Sequence, residues 1–361
     1  MPTSGLPGGA RALDDPGVRR TLRLAIAVTV AAALAYGINW DWSFMAVALT
    51  VGLMITPMPA PSLLLAIEVL AKLYFWVLVG LGLVLPVQHM PVLGVTLVAL
   101  VIFAVFYYDA QGKLTPVDST LMMVAVLVVG MSGASIDTSI ALAKGVAKGA
   151  PVMFAAGWIA YAILPAPVID RMPKKPAMEG GAVDRALFAL GPVLVVLPIL
   201  IFLLASDNTT RYLTIAMKGV QVAEQANLER SRAYSADINF ATIVGAAAGL
   251  VVYWLLKLWP SLFWYLLLVA LSMLVFGWRM SRGPRGVAPD SYRWGYAGNT
   301  SIILLAPVLL NDDFTSDDPE ARFYIRVFEF LAVTAYASAV LYVFDGVRKW
   351  AAARRKVMAD L

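Results

Sequence analysis

Long apolar runs separated by short polar breaks fill the chain, a pattern that predicts a bundle of membrane-crossing helices. The runs lie near Thr21–Ile38, Ser43–Thr56, Leu63–Leu85, Val92–Tyr108, Val117–Met131 and Ile140–Ile169. A second set lies near Ala186–Ala205, Tyr212–Leu228, Ile238–Trp259, Leu262–Met280, Tyr292–Leu310 and Phe323–Phe344. Several are shorter than the roughly 20 residues of a perpendicular span. The prolines Pro57, Pro59 and Pro61, and then Pro86 and Pro91, cluster between runs and therefore read as helix ends rather than kinks.

One run breaks the apolar pattern. The stretch Arg211–Phe240 carries Lys218, Gln221, Glu224 and Gln225 where apolar side chains are expected. At about 100° per residue, Thr214, Lys218, Gln221 and Gln225 share one stripe, with Glu224 on its shoulder. A charge inside a bilayer costs about 2.5–3.5 kcal/mol, so this helix needs a polar interior or a water-filled path to face. Lys218 lies about 10 Å along the helix from Arg211, too deep for full snorkelling. An ammonium there attracts a carboxylate, and the two amides orient it. The alternative is an internal pair of Lys218 with Glu224 or Asp237 that only stabilises the bundle.

Composition agrees with the membrane reading. Only 14% of the 361 residues are charged and 60% are hydrophobic, with mean hydropathy +0.78. Soluble domains carry about 25% charged residues. The absence of cysteine excludes disulfides, thiolate catalysis and cysteine metal sites. The single histidine, His89, falls in a predicted loop between Pro86 and Pro91. The opening MPTSGLPGGARALDDPGVRR lacks the apolar core and cleavage site of a signal peptide, so the first run is expected to be a retained helix. No Gly-rich phosphate loop with its lysine occurs, and neither ATP hydrolysis nor a cofactor is expected.

Charge placement predicts the orientation. Arg11, Arg19, Arg20 and Arg23 precede or open the first run. Arg171, Lys174, Lys175 and Arg185 fill the central loop, Arg230 and Arg232 follow the eighth run, and Arg279, Arg282 and Arg285 follow the tenth. Arg348, Lys349, Arg354, Arg355 and Lys356 close the chain. Twelve spans put all of these on one side, which the positive-inside rule makes cytoplasmic, with both termini inside.

An internal repeat is also legible. LVALVIFAVFYYDAQG from Leu97 aligns without gaps on LVALSMLVFGWRMSRG from Leu268, 171 positions later. The same shift sets Ser43–Thr56 on Thr214–Asn227 and the third run on the ninth. The expected architecture is therefore all-α and polytopic, twelve transmembrane helices in two parallel six-helix repeats at residues 21–170 and 186–345. Residues 1–20 form a tail, 171–185 a linker and 346–361 a basic tail, all cytoplasmic. Under the shift, Val47, Thr50, Leu53 and Met54 replace the polar stripe, as a single off-axis site would leave behind.

Further polar residues sit where a solute path would need them. Glu68 and Lys72 are spaced i, i+4 on the third span, either as a surface ion pair or facing a vestibule. Asp237 and Asn239 open the ninth span, where Asp237 could equally be an N-cap. Asp118 and Arg293 begin the fifth and eleventh spans, and Arg293 at an inner mouth would collect anions or anchor the interface. Lys144, Lys148, Arg326 and Glu329 lie on the sixth and twelfth spans as an exit funnel or an interfacial polar face. The loop Asn311–Asp318 holds four aspartates, a composition that binds Mg²⁺ in membrane prenyltransferases. It has no second acidic cluster to match, so a solvated loop or a partner-docking surface is expected, with no metal site and no enzyme activity.

Three stretches, RRTLRLAIAVTVAAALAYG with the loop WDWS, FMAVALTVGLMITP, and SLLLAIEVLAKLYFWVLVGLGLVLP, carry a family resemblance. With the repeated ends of the fourth and tenth spans, they make the chain similar to the fusaric acid resistance/aromatic acid exporter superfamily, in its short members without large cytosolic domains. The resemblance implies an inner-membrane efflux transporter for small organic, often aromatic, carboxylate anions. It also implies a periplasmic membrane-fusion partner; association of several copies is left open. Proton coupling through Glu68, Glu224 or Asp237 is the expected mechanism. A potential-driven organic-anion channel and a non-transporting membrane scaffold are the alternatives.

Overall fold

The computed structural model describes residues 15–40, 42–56, 59–133, 135–166, 168–169, 177–178, 180–205, 231–283, 286–309, 324–340, 342–343 and 346. These residues are almost entirely helical. In chain order the helices are α1 (Pro16–Ile38), α2 (Phe44–Ile55), α3 (Leu63–His89), α4 (Pro91–Ala110), α5 (Pro116–Gly130) and α6 (Ile136–Ile163). They continue with α7 (Ala182–Ala205), α8 (Ser231–Leu258), α9 (Leu262–Met280), α10 (Ser291–Leu309) and α11 (324–340). Seven of them are long and apolar enough to cross a membrane: α1, α3, α4, α6, α7, α8 from Asp237, and α9. This is the fold expected of a multi-pass membrane protein. Two short strands, β1 (Ala60–Pro61) and β2 (Val168–Ile169), pair in parallel.

Local chemistry explains where the helices begin. The Asp15 carboxylate caps α1 by accepting from the Gly17 N–H at 2.7 Å, with Pro16 preset at the first helical position. Asn39, at φ 52°, turns the chain out of α1. Ser261 caps α9 through the Trp264 N–H at 3.2 Å.

Three element ends differ from the sequence expectation. α3 continues through Pro86 to His89, which is therefore helical and not in a loop. Proline removes only its own N–H, and the Pro86 carbonyl still accepts from Met90 N–H at 2.9 Å. α6 stops at Ile163, ahead of Pro165, which disfavours helical geometry in the residue before it. α8 begins at Ser231, so Asp237 lies well inside the helix and is not its N-cap.

The chain forms two compact units. The first comprises Met1–Ala66, Gly145–Asp170 and Phe240–Phe323. Here α1 packs along α9 and against α2, and α10 packs on both α9 and α2. The face of α1 turned inward is built of small residues, Ala27, Val28, Ala31, Ala32 and Ala35, all fully buried. Small side chains let helices approach closely where no water is available to drive association. Gly277 of α9 lies against Thr21 for the same reason: a Cβ there would stand 3.2 Å from the Thr21 Cα.

The second unit comprises Ile67–Lys144, Arg171–Asn239 and Tyr324–Leu361. In it α4 packs along α7, and α5 packs on α4 and α7. α3 runs parallel to α5, touching it through Lys72 and Asp118 and then at Gly80 and Ala125, and Gln88 near its end donates to the Ser132 carbonyl in the 3-10 turn Met131–Gly133 that follows α5.

Candidate functional site

The polar stripe of Lys218, Gln221, Glu224 and Gln225 lies outside the described residues, as does the aspartate loop Asn311–Asp318. Among the described residues, the densest cluster of charge inside a helix pair is Glu68, Lys72 and Asp118 of the second unit.

This cluster is built by a helix start meeting a helix side. Thr115 and Asp118 form a reciprocal capping box at the N-terminus of α5, with Pro116 at its first position. The Asp118 Oδ2 accepts from the Thr115 N–H at 2.7 Å and from its hydroxyl at 2.8 Å. That leaves Oδ1 free to meet the Lys72 ammonium at 3.0 Å. Lys72 in turn bonds Glu68 Oε1, one turn earlier on α3, at 2.8 Å. Side-chain exposure falls from 50% at Glu68 through 35% at Lys72 to 12% at Asp118. The three groups thus form a chain from an accessible carboxylate to a buried one. Gly80 helps set the spacing, because a Cβ there would stand 2.8 Å from the Ala125 carbonyl of α5.

Two carboxylates and one ammonium carry a net charge of −1. The cluster therefore holds its lysine neutralised on both sides and is no trap for an anion. Lys72 stands within reach of both carboxylates and can be shared between them.

The remaining expected residues fall elsewhere. Arg293 of α10 pairs with Asp290 at 3.3 Å and its guanidinium lies over the Phe240 ring at 4.2 Å. Part of its charge is therefore spent on Asp290. Asp237 and Asn239 are half-buried within α8. Arg326 and Glu329 sit one turn apart on α11, both half-buried. Lys144 and Lys148 are exposed on α6. Glu68 and Lys72 are brought to Asp118, and Arg293 to Asp290.

Two residues with a structural task had no sequence signal beyond their charge. Arg20 Nη2 donates to the Ile55 carbonyl at 2.6 Å and Nη1 to the Gly286 carbonyl at 3.1 Å. Arg23 donates to the carbonyls of Leu164 and Pro165, each at 2.8 Å, and lies over the Tyr161 ring at 5.4 Å. The ends of α2 and α6 leave carbonyls without helical partners, and these guanidiniums satisfy them while meeting the negative ends of the helix dipoles.

A protein family of unknown function matches the chain. Its model, described as "Protein of unknown function (DUF2955)", covers residues 20–155, less than half of the 361. The matched stretch contains Arg20, Arg23, Glu68, Lys72 and Asp118, and stops short of Arg293. No curated protein and no solved structure is significantly similar to the chain.

Proposed function

We propose that this protein is an inner-membrane efflux transporter for small organic carboxylate anions, aromatic ones among them, and that it is proton-coupled. The observation that carries the reading is the graded chain Glu68–Lys72–Asp118 at the contact of α3 with α5. A carrier that exchanges protons needs a carboxylate that can be alternately paired and released, and Lys72 lies within reach of two. A channel driven only by potential has no use for such a group, so the cluster favours the carrier over the channel. The organic-anion substrate, and a periplasmic fusion protein as partner, rest on the resemblance in the first and second spans.

Twelve spans in two parallel repeats, with both termini cytoplasmic, complete the proposal. Three features support the repeat. Displacing Pro91, the start of α4, by 171 positions lands on Leu262, the start of α9. The pairing of α1 with α9 in one unit has its counterpart under the same shift in the pairing of α7 with α4 in the other. Gly80 of α3 abuts Ala125 of α5, and Gly245 of α8 abuts Ala297 of α10, again shift-related helices.

The test is labelled hydroxybenzoate uptake into inverted membrane vesicles carrying the wild type or Asp118→Asn. The wild type accumulates substrate, and an uncoupler collapses the gradient. Asp118→Asn keeps downhill flux and loses uphill accumulation. Equal accumulation in both proteins sinks the coupling role of Asp118, and no flux in either sinks the transporter reading.

A further inference from the structure

The C-terminal end of α9 and the start of α10 carry a ladder of arginines and aromatic rings that transport chemistry does not use. The Arg282 guanidinium lies 3.3 Å from the Trp278 ring centroid, in stacking contact. Arg279 lies over the Trp278 ring at 5.7 Å and over the Trp294 ring at 5.0 Å. Trp294 donates its indole N–H to Asp290 at 2.8 Å, and Asp290 is the carboxylate already paired with Arg293. Three arginines thus share one acid, a local charge of +2.

Arg279 and Arg282 differ from the other arginines of this unit. Arg20 and Arg23 spend their donors on carbonyls, and Arg293 on Asp290. Arg279 and Arg282 make no hydrogen bond and no ion pair among the described residues; Arg282 is stacked on the Trp278 ring, and Arg279 lies over the Trp294 ring at 5.0 Å. A guanidinium stacked by its face presents its N–H edge outward, the geometry that takes two oxygens of a phosphate.

The position of the ladder selects the ligand. Phe263, Leu267, Leu271, Val275 and Trp278 are large, apolar and exposed, and at helical spacing they form one stripe along α9. That stripe ends at Trp278, and Arg282, two residues past the end of α9, lays its guanidinium on the Trp278 ring. A tryptophan at the end of an apolar stripe marks the headgroup level of a membrane, and an arginine held against it reaches the phosphates. We propose that Arg279 and Arg282, held on Trp278 and Trp294, form a binding site for the phosphate of an anionic phospholipid whose acyl chains lie along the α9 stripe.

The proposal is independent of the transported solute. It is tested on the full chain reconstituted in nanodiscs of phosphatidylcholine alone or with added phosphatidylglycerol, reading thermal stability and, by native mass spectrometry, retained lipid. Wild type should hold phosphatidylglycerol in preference and melt several degrees higher with it. Arg279→Gln/Arg282→Gln should lower that preference roughly tenfold or more, given the share each basic residue contributes at a membrane surface. Arg282→Lys, which keeps the charge but loses the planar stack, should fall between, and it guards against misfolding of the double variant. Equal retention of the two lipids by the wild type, or undiminished preference in the double variant, overturns the site. So does an equal stabilisation by inorganic phosphate in detergent, which would make the ligand a free anion.

Discussion

At the residue scale, the decisive difference is between charge that is available and charge that is spent. Lys72 reads from sequence as the i, i+4 partner of Glu68, yet its ammonium is shared with Asp118, a residue 46 positions later on another helix. Lys72→Ala leaves two carboxylates facing each other without their cation. The expected loss is about 1–2 kcal/mol, between that of an exposed and a buried pair, and is read as thermal unfolding in detergent. Uphill transport should be lost as well. Thr115→Ala removes the hydroxyl that holds Asp118 Oδ2, at a cost of about 1 kcal/mol. If that variant unfolds at the wild-type temperature, the capping box is not what holds Asp118 in place.

At the element scale, helix register decides whether those residues meet. The parallel run of α3 beside α5 depends on Gly80 lying against the backbone at Ala125. Gly80→Val inserts a branched side chain into that contact, for an expected cost of about 1–3 kcal/mol. It should also part Lys72 from Asp118, so accumulation falls further than the stability loss alone explains. The glycine could not be singled out beforehand, because apolar helices contain many glycines and only the partner helix distinguishes a contact glycine from one in open space. Gly82, two residues on, has nothing within 4 Å of its would-be Cβ, so Gly82→Ala should leave transport unchanged and raise stability by about 0.5–1 kcal/mol, as for any unobstructed helix-interior glycine.

At the scale of the whole molecule, the proposal concerns direction and energy. With the cytoplasm negative, an outgoing monovalent anion gains about 2.3 kcal/mol per 100 mV, a gradient of roughly fiftyfold. A channel cannot exceed that ratio. Accumulation beyond it in vesicles of known potential is the expected result for a proton-coupled carrier, and a ceiling at that ratio would favour the channel. Tags at both termini should be protected from external protease in intact cells, as the positive-inside distribution of arginine and lysine requires.

Apolar runs marked, among the described residues, the segments that become helices, because a stretch of about 20 apolar residues has few other stable fates. The predicted starts of α3 and α9, at Leu63 and Leu262, coincide with those observed. The ends were less legible where a proline such as Pro86 was absorbed into a helix, since the bonds one turn later do not depend on its missing N–H. Which charges neutralise one another was decided only by tertiary structure. Asp118 reaches Lys72, Arg20 reaches the carbonyls of Ile55 and Gly286, and Arg279 lies over the Trp294 ring of the following helix. A one-dimensional pattern records that a residue is polar and on which face it lies. The group it faces depends on which helix packs there, and that is set by the fit of small and large side chains across the whole bundle.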